Sequence, residues 1–134
     1  MEQLAVEIVG LCREYGECRV EVERMEEARR VKNALESVCA MARQRLDISD
    51  PALLLALLDA CEVTRDEGML QEVLDVVGRN LDRLAVSAES VKLLACCYYY
   101  VEEEECVERA GRMLEELRKM GRGEEELSIT VAMK

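Results

Sequence analysis

The chain has 134 residues, of which 18 are lysine or arginine and 29 are aspartate or glutamate, so its formal net charge is −11. This balance disfavours a nucleic-acid partner, because it repels a phosphate backbone, and an aromatic content of 3% supplies few stacking surfaces for bases. Basic segments of other proteins suit the charge better. The sequence has no histidine, the commonest general base and metal ligand, so we expect no enzyme activity, cofactor or metal site.

The N-terminus and the cysteines favour an intracellular protein. Glu2 is acidic at a place where a signal or transit peptide would have basic residues, and no apolar run approaches the ~20 residues that span a bilayer. The seven cysteines are an odd number without the density of a secreted disulfide scaffold, so we expect seven free thiols. We therefore expect a protein of the cytoplasm or nucleus with no membrane partner.

The N-terminal part of the chain predicts a helical hairpin. Apolar residues recur from Leu4 to Tyr15 at helical spacing, and Gly16 can end this first helix in the left-handed conformation. A second helix is predicted from Val20 to Leu46, with apolar residues on one face and a mixture of Glu and Arg elsewhere. One side of this helix is expected to stay in water.

Asp50 followed by Pro51 marks the start of a second hairpin, since Asp is a favoured N-cap and proline suits the first helical position. The leucines of this third helix go most of the way round its circumference, so it requires neighbours on several sides. Thr64 and Glu67 have the spacing of a capping box, which predicts a fourth helix that ends near Leu84.

A third hairpin is predicted after Ser87, a plausible N-cap for a fifth helix over Ala88–Val101. Four glutamates, Glu102 to Glu105, favour the start of a sixth helix, because carboxylates stabilise a helix N-terminus. Gly121 is expected to end it. The apolar stripes of these helices predict a core that contains Leu54, Leu57, Leu58, Leu74, Val77, Leu94, Leu114 and Leu117.

A shift of 36 residues aligns the second hairpin with the third. Leu57 then meets Leu93 and Cys61 meets Cys97, and apolar positions also agree in the second helix of each pair. One offset that serves both helices is what a duplicated hairpin produces. The alternative is that two amphipathic hairpins of equal length agree by chance when one is slid along the other.

Over residues 50 to 121 this pattern resembles the α-solenoid superfamily of tetratricopeptide, armadillo and HEAT repeats. The tetratricopeptide pattern of tryptophan, glycine, tyrosine and proline is absent, so no binding residues are carried over. The resemblance implies a fold that usually holds other proteins.

We predict an all-α protein with five to six helices in antiparallel hairpins, as a short α-solenoid-like domain or alternatively an irregular helical bundle. The predicted segments are a single domain over 1–121, with an N-terminal hairpin over 1–48 and two repeats over 50–85 and 87–121, and a tail or short helix over 122–134.

The tyrosine run of the fifth helix predicts a binding surface. Tyr99 falls outside the apolar stripes that contain Tyr98 and Tyr100, so we expect it to be the most exposed of the three. On the 36-residue shift its stripe maps onto Ala56, Ala60 and Val63 of the third helix, small residues that predict a groove with a shallow floor. The alternative is that the tyrosines pack with their hydroxyls in water. The predicted partner-binding residues are Tyr99, Lys92, Cys96, Ala56, Ala60 and Glu103.

These patterns favour a non-enzymatic helical adaptor or scaffold whose groove holds a basic or amphipathic segment of a partner protein. The alternative is a regulatory subunit or acidic chaperone without a groove, which would bind through the charged second helix. Only the adaptor hypothesis requires Tyr99.

The C-terminal residues 122–134 have two competing patterns. Ile129, Val131 and Met133 alternate with small or polar residues at the period of a strand. Leu127 and Val131 are four residues apart after three glutamates, which favours a short helix packed on the last hairpin. Helix, added strand and disorder all stay open.

Overall fold

The computed structural model describes residues 2–121, and over this range the protein is helical, which confirms the predicted all-α class. Single 3-10 turns, Val22–Arg24 and Leu81–Arg83, precede the second helix and follow the fourth. Among these residues, no helix has both the length and the apolar character of a membrane span. The predicted choice between helix and strand for residues 122–134 lies outside the described residues. The helices are α1 Glu2–Cys18, α2 Met25–Arg43, α3 Pro51–Thr64, α4 Glu67–Arg79, α5 Ala88–Val101 and α6 Glu104–Lys119.

The helices pair in chain order, α1 with α2, α3 with α4, and α5 with α6. The first helices of these hairpins also contact one another, since α3 lies against both α1 and α5. In addition α3 contacts α2, so the prediction that it requires neighbours on several sides is confirmed. Its leucines at 53, 54, 57 and 58 are at most 3% exposed. The helix α3 is therefore the centre of the core.

The predicted core is confirmed except at one position. Leu74 is half-buried and packs on the edge of the core, because the inward stripe of α4 runs through Met69, Val73 and Val77 instead. The other predicted core residues, Leu54, Leu57, Leu58, Val77, Leu94, Leu114 and Leu117, are buried.

The ends of the first two helices differ from the prediction. Gly16 does not end α1, which continues two residues further to Cys18. This extension places the Cys18 side chain at 0% exposure, so burial of the thiol favours the additional helix. The predicted helix from Val20 to Leu46 is shorter, because a separate 3-10 turn occupies Val22–Arg24 and α2 ends at Arg43.

Two predicted N-caps are confirmed. Asp50 Oδ1 accepts a hydrogen bond from the backbone N–H of Leu53 at 3.2 Å, and Ser87 Oγ accepts one from Ser90 at 3.1 Å. The predicted end of the last helix also agrees, since Gly121 has a φ of 80° directly after the C-cap of α6.

The predicted capping box at Thr64 and Glu67 is wrong. Asp66 caps α4, with its Oδ1 accepting from the backbone N–H of Met69 at 3.0 Å. Thr64 belongs to the last turn of α3, and its hydroxyl donates to the Ala60 carbonyl at 2.7 Å. The hydroxyl is therefore bonded within the last turn of α3 and is not available to begin the next helix.

The second and third hairpins correspond at an offset of 37 residues, one more than predicted. The bounds Pro51–Thr64 of α3 map onto Ala88–Val101 of α5, and α4 and α6 begin at positions with the same offset. The residues that follow α3 and α5, Arg65 and Glu102, both have left-handed backbone, with φ of 61° and 52°. The helix starts and ends thus give an offset that is one residue larger than the offset predicted from the apolar pattern.

Burial follows the same offset. Leu54 and Val91 are both buried, as are Ala56 and Leu93. The 36-residue shift also paired apolar residues because α3 and α5 are apolar nearly all round, so a displacement by one position still matches apolar with apolar. The stripe that contains Tyr99 consequently corresponds to Leu55, Asp59 and Glu62 of α3, and not to small residues.

Candidate functional site

A groove of about 530 Å³ lies on the first helices of the three hairpins, and we call it the α1/α3/α5 groove. Its volume is within the range of ~300–1,000 Å³ typical of ligand sites. The groove is lined by Ala5, Val6, Val9, Gly10 and Arg13 of α1, by Ala52, Leu55, Ala56 and Asp59 of α3, and by Glu89 and Lys92 of α5.

The walls of the groove are mainly apolar and reach solvent. On α1, Ile8 points into the core with 0% exposure, whereas Val6 and Val9 are 71% and 37% exposed and face the groove. Leu55 lines the opposite side and is half-buried. Nothing lies within 4 Å of the place where a Cβ on Gly10 would stand, so the groove is open beside this residue. The protein thus leaves apolar surface available for contact.

Four charged side chains border this apolar surface: Arg13, Asp59, Glu89 and Lys92. Within the described residues, none of the four makes a hydrogen bond or an ion pair. Their charges are therefore available to a bound molecule.

Asp59 lies on the central helix, between its two neighbours. Burial is the main cause that raises the pKa of Cys12 on α1 to about 12 and raises the pKa of Cys96 on α5, and the negative charge of Asp59 is the second cause for both thiols. The pKa of Asp59 is itself raised, first by partial burial and then by the negative charge of Glu62. The exposed carboxylate is thus close enough to α1 and α5 to act on a thiol of each helix.

The structure brings together some of the predicted binding residues and separates others. Lys92 and Ala56 both line the α1/α3/α5 groove. Cys96 is half-buried one turn further along α5, while Glu103 is exposed just before α6, outside the lining. Ala60 was expected to form part of a shallow groove floor, but it is 0% exposed, because α3 is enclosed by helices on several sides.

Tyr99 is the most exposed of the three tyrosines, as predicted. It is 74% exposed, whereas Tyr98 and Tyr100 are half-buried. Its ring meets that of Tyr100 edge-on, with 5.2 Å between the centroids. The hydroxyl of Tyr100 donates to Glu62 at 2.8 Å and joins α5 to α3. Tyr99 does not line the α1/α3/α5 groove, so a ligand of this groove does not require it, and its predicted role in binding stays a prediction.

The contribution of α1 to the groove was not predicted from the sequence. Val6 and Val9 fall outside the stripe from Leu4 to Tyr15. Apolar residues beside a stripe that is already complete were the one sequence feature that could have indicated a second apolar face on α1. Their role depends on the packing of α1 against α3, which are separated in the chain by the whole of α2. Periodicity within one helix does not predict such a contact.

All seven cysteines are free, as predicted, and only Cys96 is partly accessible. Burial raises the pKa values of Cys61 and Cys97 to about 12, mainly by disfavouring the thiolate. In the described part of the chain, no three Cys, Asp or Glu side chains come together as metal ligands. Five of the cysteines therefore act as small apolar residues of the core: Cys12, Cys39, Cys61, Cys97 and Cys106.

We expect a thiol reagent at pH 8 to modify Cys96 first in the folded protein and the other six cysteines far more slowly. A thiol with a pKa of about 12 is a thiolate in roughly one molecule in ten thousand at this pH, and only the thiolate reacts. Absorbance of the released chromophore measures the count, which should reach seven in denaturant. Cys96→Ser should remove the first phase. Several fast thiols in the folded protein would contradict this expectation.

Comparisons of the chain with protein-family models, with curated proteins and with solved structures gave no match. Its chemistry is therefore inferred from the residues of the groove. Open apolar walls with unpaired charges at their edges are suited to holding an amphipathic ligand.

Proposed function

We propose that this protein is a non-enzymatic helical adaptor of the cytoplasm or nucleus, and that its α1/α3/α5 groove holds a basic, amphipathic segment of a partner protein. The main support is the apolar wall formed by Val6, Val9 and Leu55, which faces solvent in a chain of net charge −11. An amphipathic helix can bury its apolar face in such a groove. A basic polar face then complements the chain's net charge of −11.

The alternative of a groove-free regulatory subunit or acidic chaperone, which would bind through α2, has less support. Charges near the start of α2 are already paired, since Arg24 contacts Glu27 at 2.9 Å and Arg29 contacts Glu26 at 3.7 Å. The charged residues of the groove have no such partners among the described residues. Unpaired charges beside open apolar surface favour the groove as the binding site.

The valine Val6 offers a direct test, because Val22 is a matched control outside the groove. The two side chains are 71% and 79% exposed. The probe is a fluorescent peptide of leucine and lysine, ~18 residues long so that it can form an amphipathic helix. Val6→Ser should weaken binding about fivefold, which corresponds to ~1 kcal/mol of lost apolar contact. Val22→Ser should leave the affinity unchanged.

Fluorescence anisotropy at moderate salt measures both dissociation constants. Serine and valine have similar helix propensities, so neither variant should disturb the fold. Failure of the wild-type protein to bind the peptide, or an equal loss of affinity in the two variants, would contradict the proposed function.

A further inference from the structure

We propose that Asp59 selects the ligand of the α1/α3/α5 groove by forming an ion pair with a lysine or arginine side chain of the bound segment. This inference rests on the proposed function, because it concerns the chemistry of the segment that the same groove holds. It assigns a specificity-determining role to one carboxylate.

The position of Asp59 supports this role. It lies on α3, the central helix of the layer, and lines the groove next to the apolar residues Leu55 and Ala56. Its short side chain has no hydrogen bond or ion pair within the described residues. A ligand whose apolar face rests on Leu55 would bring the edge of that face to this carboxylate.

Among the described residues, Glu62 is the charge that acts on Asp59, and the other charged residues that line the groove are Arg13, Glu89 and Lys92. Glu89 and Lys92 are three residues apart on α5, so their opposite charges are neighbours on one helix face and partly cancel. Glu62, three residues after Asp59, adds a second negative charge and is held in place by the Tyr100 hydroxyl at 2.8 Å. Arg13 is the remaining cation, and its long side chain can place its charge in water.

Asp59 is exposed beside the apolar wall of the groove, so a ligand side chain can reach its carboxylate. Desolvation and then the negative charge of Glu62 raise the pKa of this carboxyl, and a cation beside it would favour its charged form. A ligand ammonium or guanidinium group would supply a charge-assisted hydrogen bond, which is stronger than one between neutral groups. An acidic ligand side chain at this place would be repelled by both Asp59 and Glu62.

The test compares two peptides that differ only in their polar residues, leucine–lysine and leucine–glutamate. Asp59→Asn should weaken the lysine peptide about tenfold, since it removes the ion pair and keeps the shape of the side chain. Asp82→Asn is the matched control. It changes the net charge by the same amount, and Asp82 is exposed on the 3-10 turn after α4, outside the groove. It should change the affinity less than twofold.

The wild-type protein should bind the glutamate peptide more weakly than the lysine peptide, and Asp59→Asn should reduce this preference. Equal effects of Asp59→Asn and Asp82→Asn would overturn the inference, as would tighter binding of the glutamate peptide. If Val6→Ser weakens the lysine peptide while Asp59→Asn does not, the proposed function stands and the role of Asp59 fails. If the lysine peptide does not bind the wild-type protein, the proposed function itself fails.

Discussion

Replacement of Leu57 with alanine is expected to lower the free energy of unfolding by about 3 kcal/mol. Leu57 is 0% exposed and lies on α3, where helices pack on several sides. The removed atoms would leave a cavity that few neighbours can fill, because each is held by its own helix. Urea denaturation followed by circular dichroism measures the change.

The control for this prediction is Leu55→Ala on the same helix. Leu55 is half-buried on the groove side, so we expect its loss to cost about half as much stability. It should also weaken the leucine–lysine peptide, since Leu55 forms one wall of the groove. Equal destabilisation by the two substitutions would contradict the placement of α3 at the centre of the core.

Replacement of Ala60 with leucine is expected to destabilise the protein by about 2 kcal/mol or more. Ala60 is 0% exposed, and close packing around α3 leaves no room for additional carbon atoms. If Ala60 formed part of a shallow groove floor, as the sequence predicted, leucine would leave stability unchanged and only obstruct the groove. Thermal or urea denaturation distinguishes the two.

Ala34→Leu provides the matched control, because Ala34 is exposed on α2. The same substitution at this position should change stability by less than about 0.5 kcal/mol, as is usual for surface sites. The prediction would be contradicted if the Ala60→Leu variant folded with unchanged stability. The α3 and α5 helices would then be separated by more space than the structure gives them.

Helix existence could be predicted from the sequence because local signals agree with the apolar periodicity. The caps at Asp50 and Ser87 and the glycine at Gly121 depend on neighbouring residues only, and each was placed correctly. Thr64 was misplaced because a hydroxyl can bond either to the preceding turn or to the following helix start, and the choice depends on where α3 ends.

The groove could be predicted only in part. A site on the first helices of the hairpins was expected, and Lys92 and Ala56 were placed in it, but the contributions of Val6, Arg13 and Asp59 were not. Those residues meet through packing between helices that are distant in the chain. The predicted offset of 36 residues differs by one from the offset of 37 between the helix bounds, and the origin of this error is similar. Helices that are apolar nearly all round do not specify which side faces a given neighbour.

Amide chemical-shift mapping of the labelled protein during titration with the leucine–lysine peptide tests the central claim most directly. The proposed function predicts that the largest shifts occur on the parts of α1, α3 and α5 that line the groove, including Val6, Leu55, Asp59 and Lys92, with little change along α2. Shifts concentrated on α2 between Met25 and Arg43, with the groove residues unaffected, would contradict it.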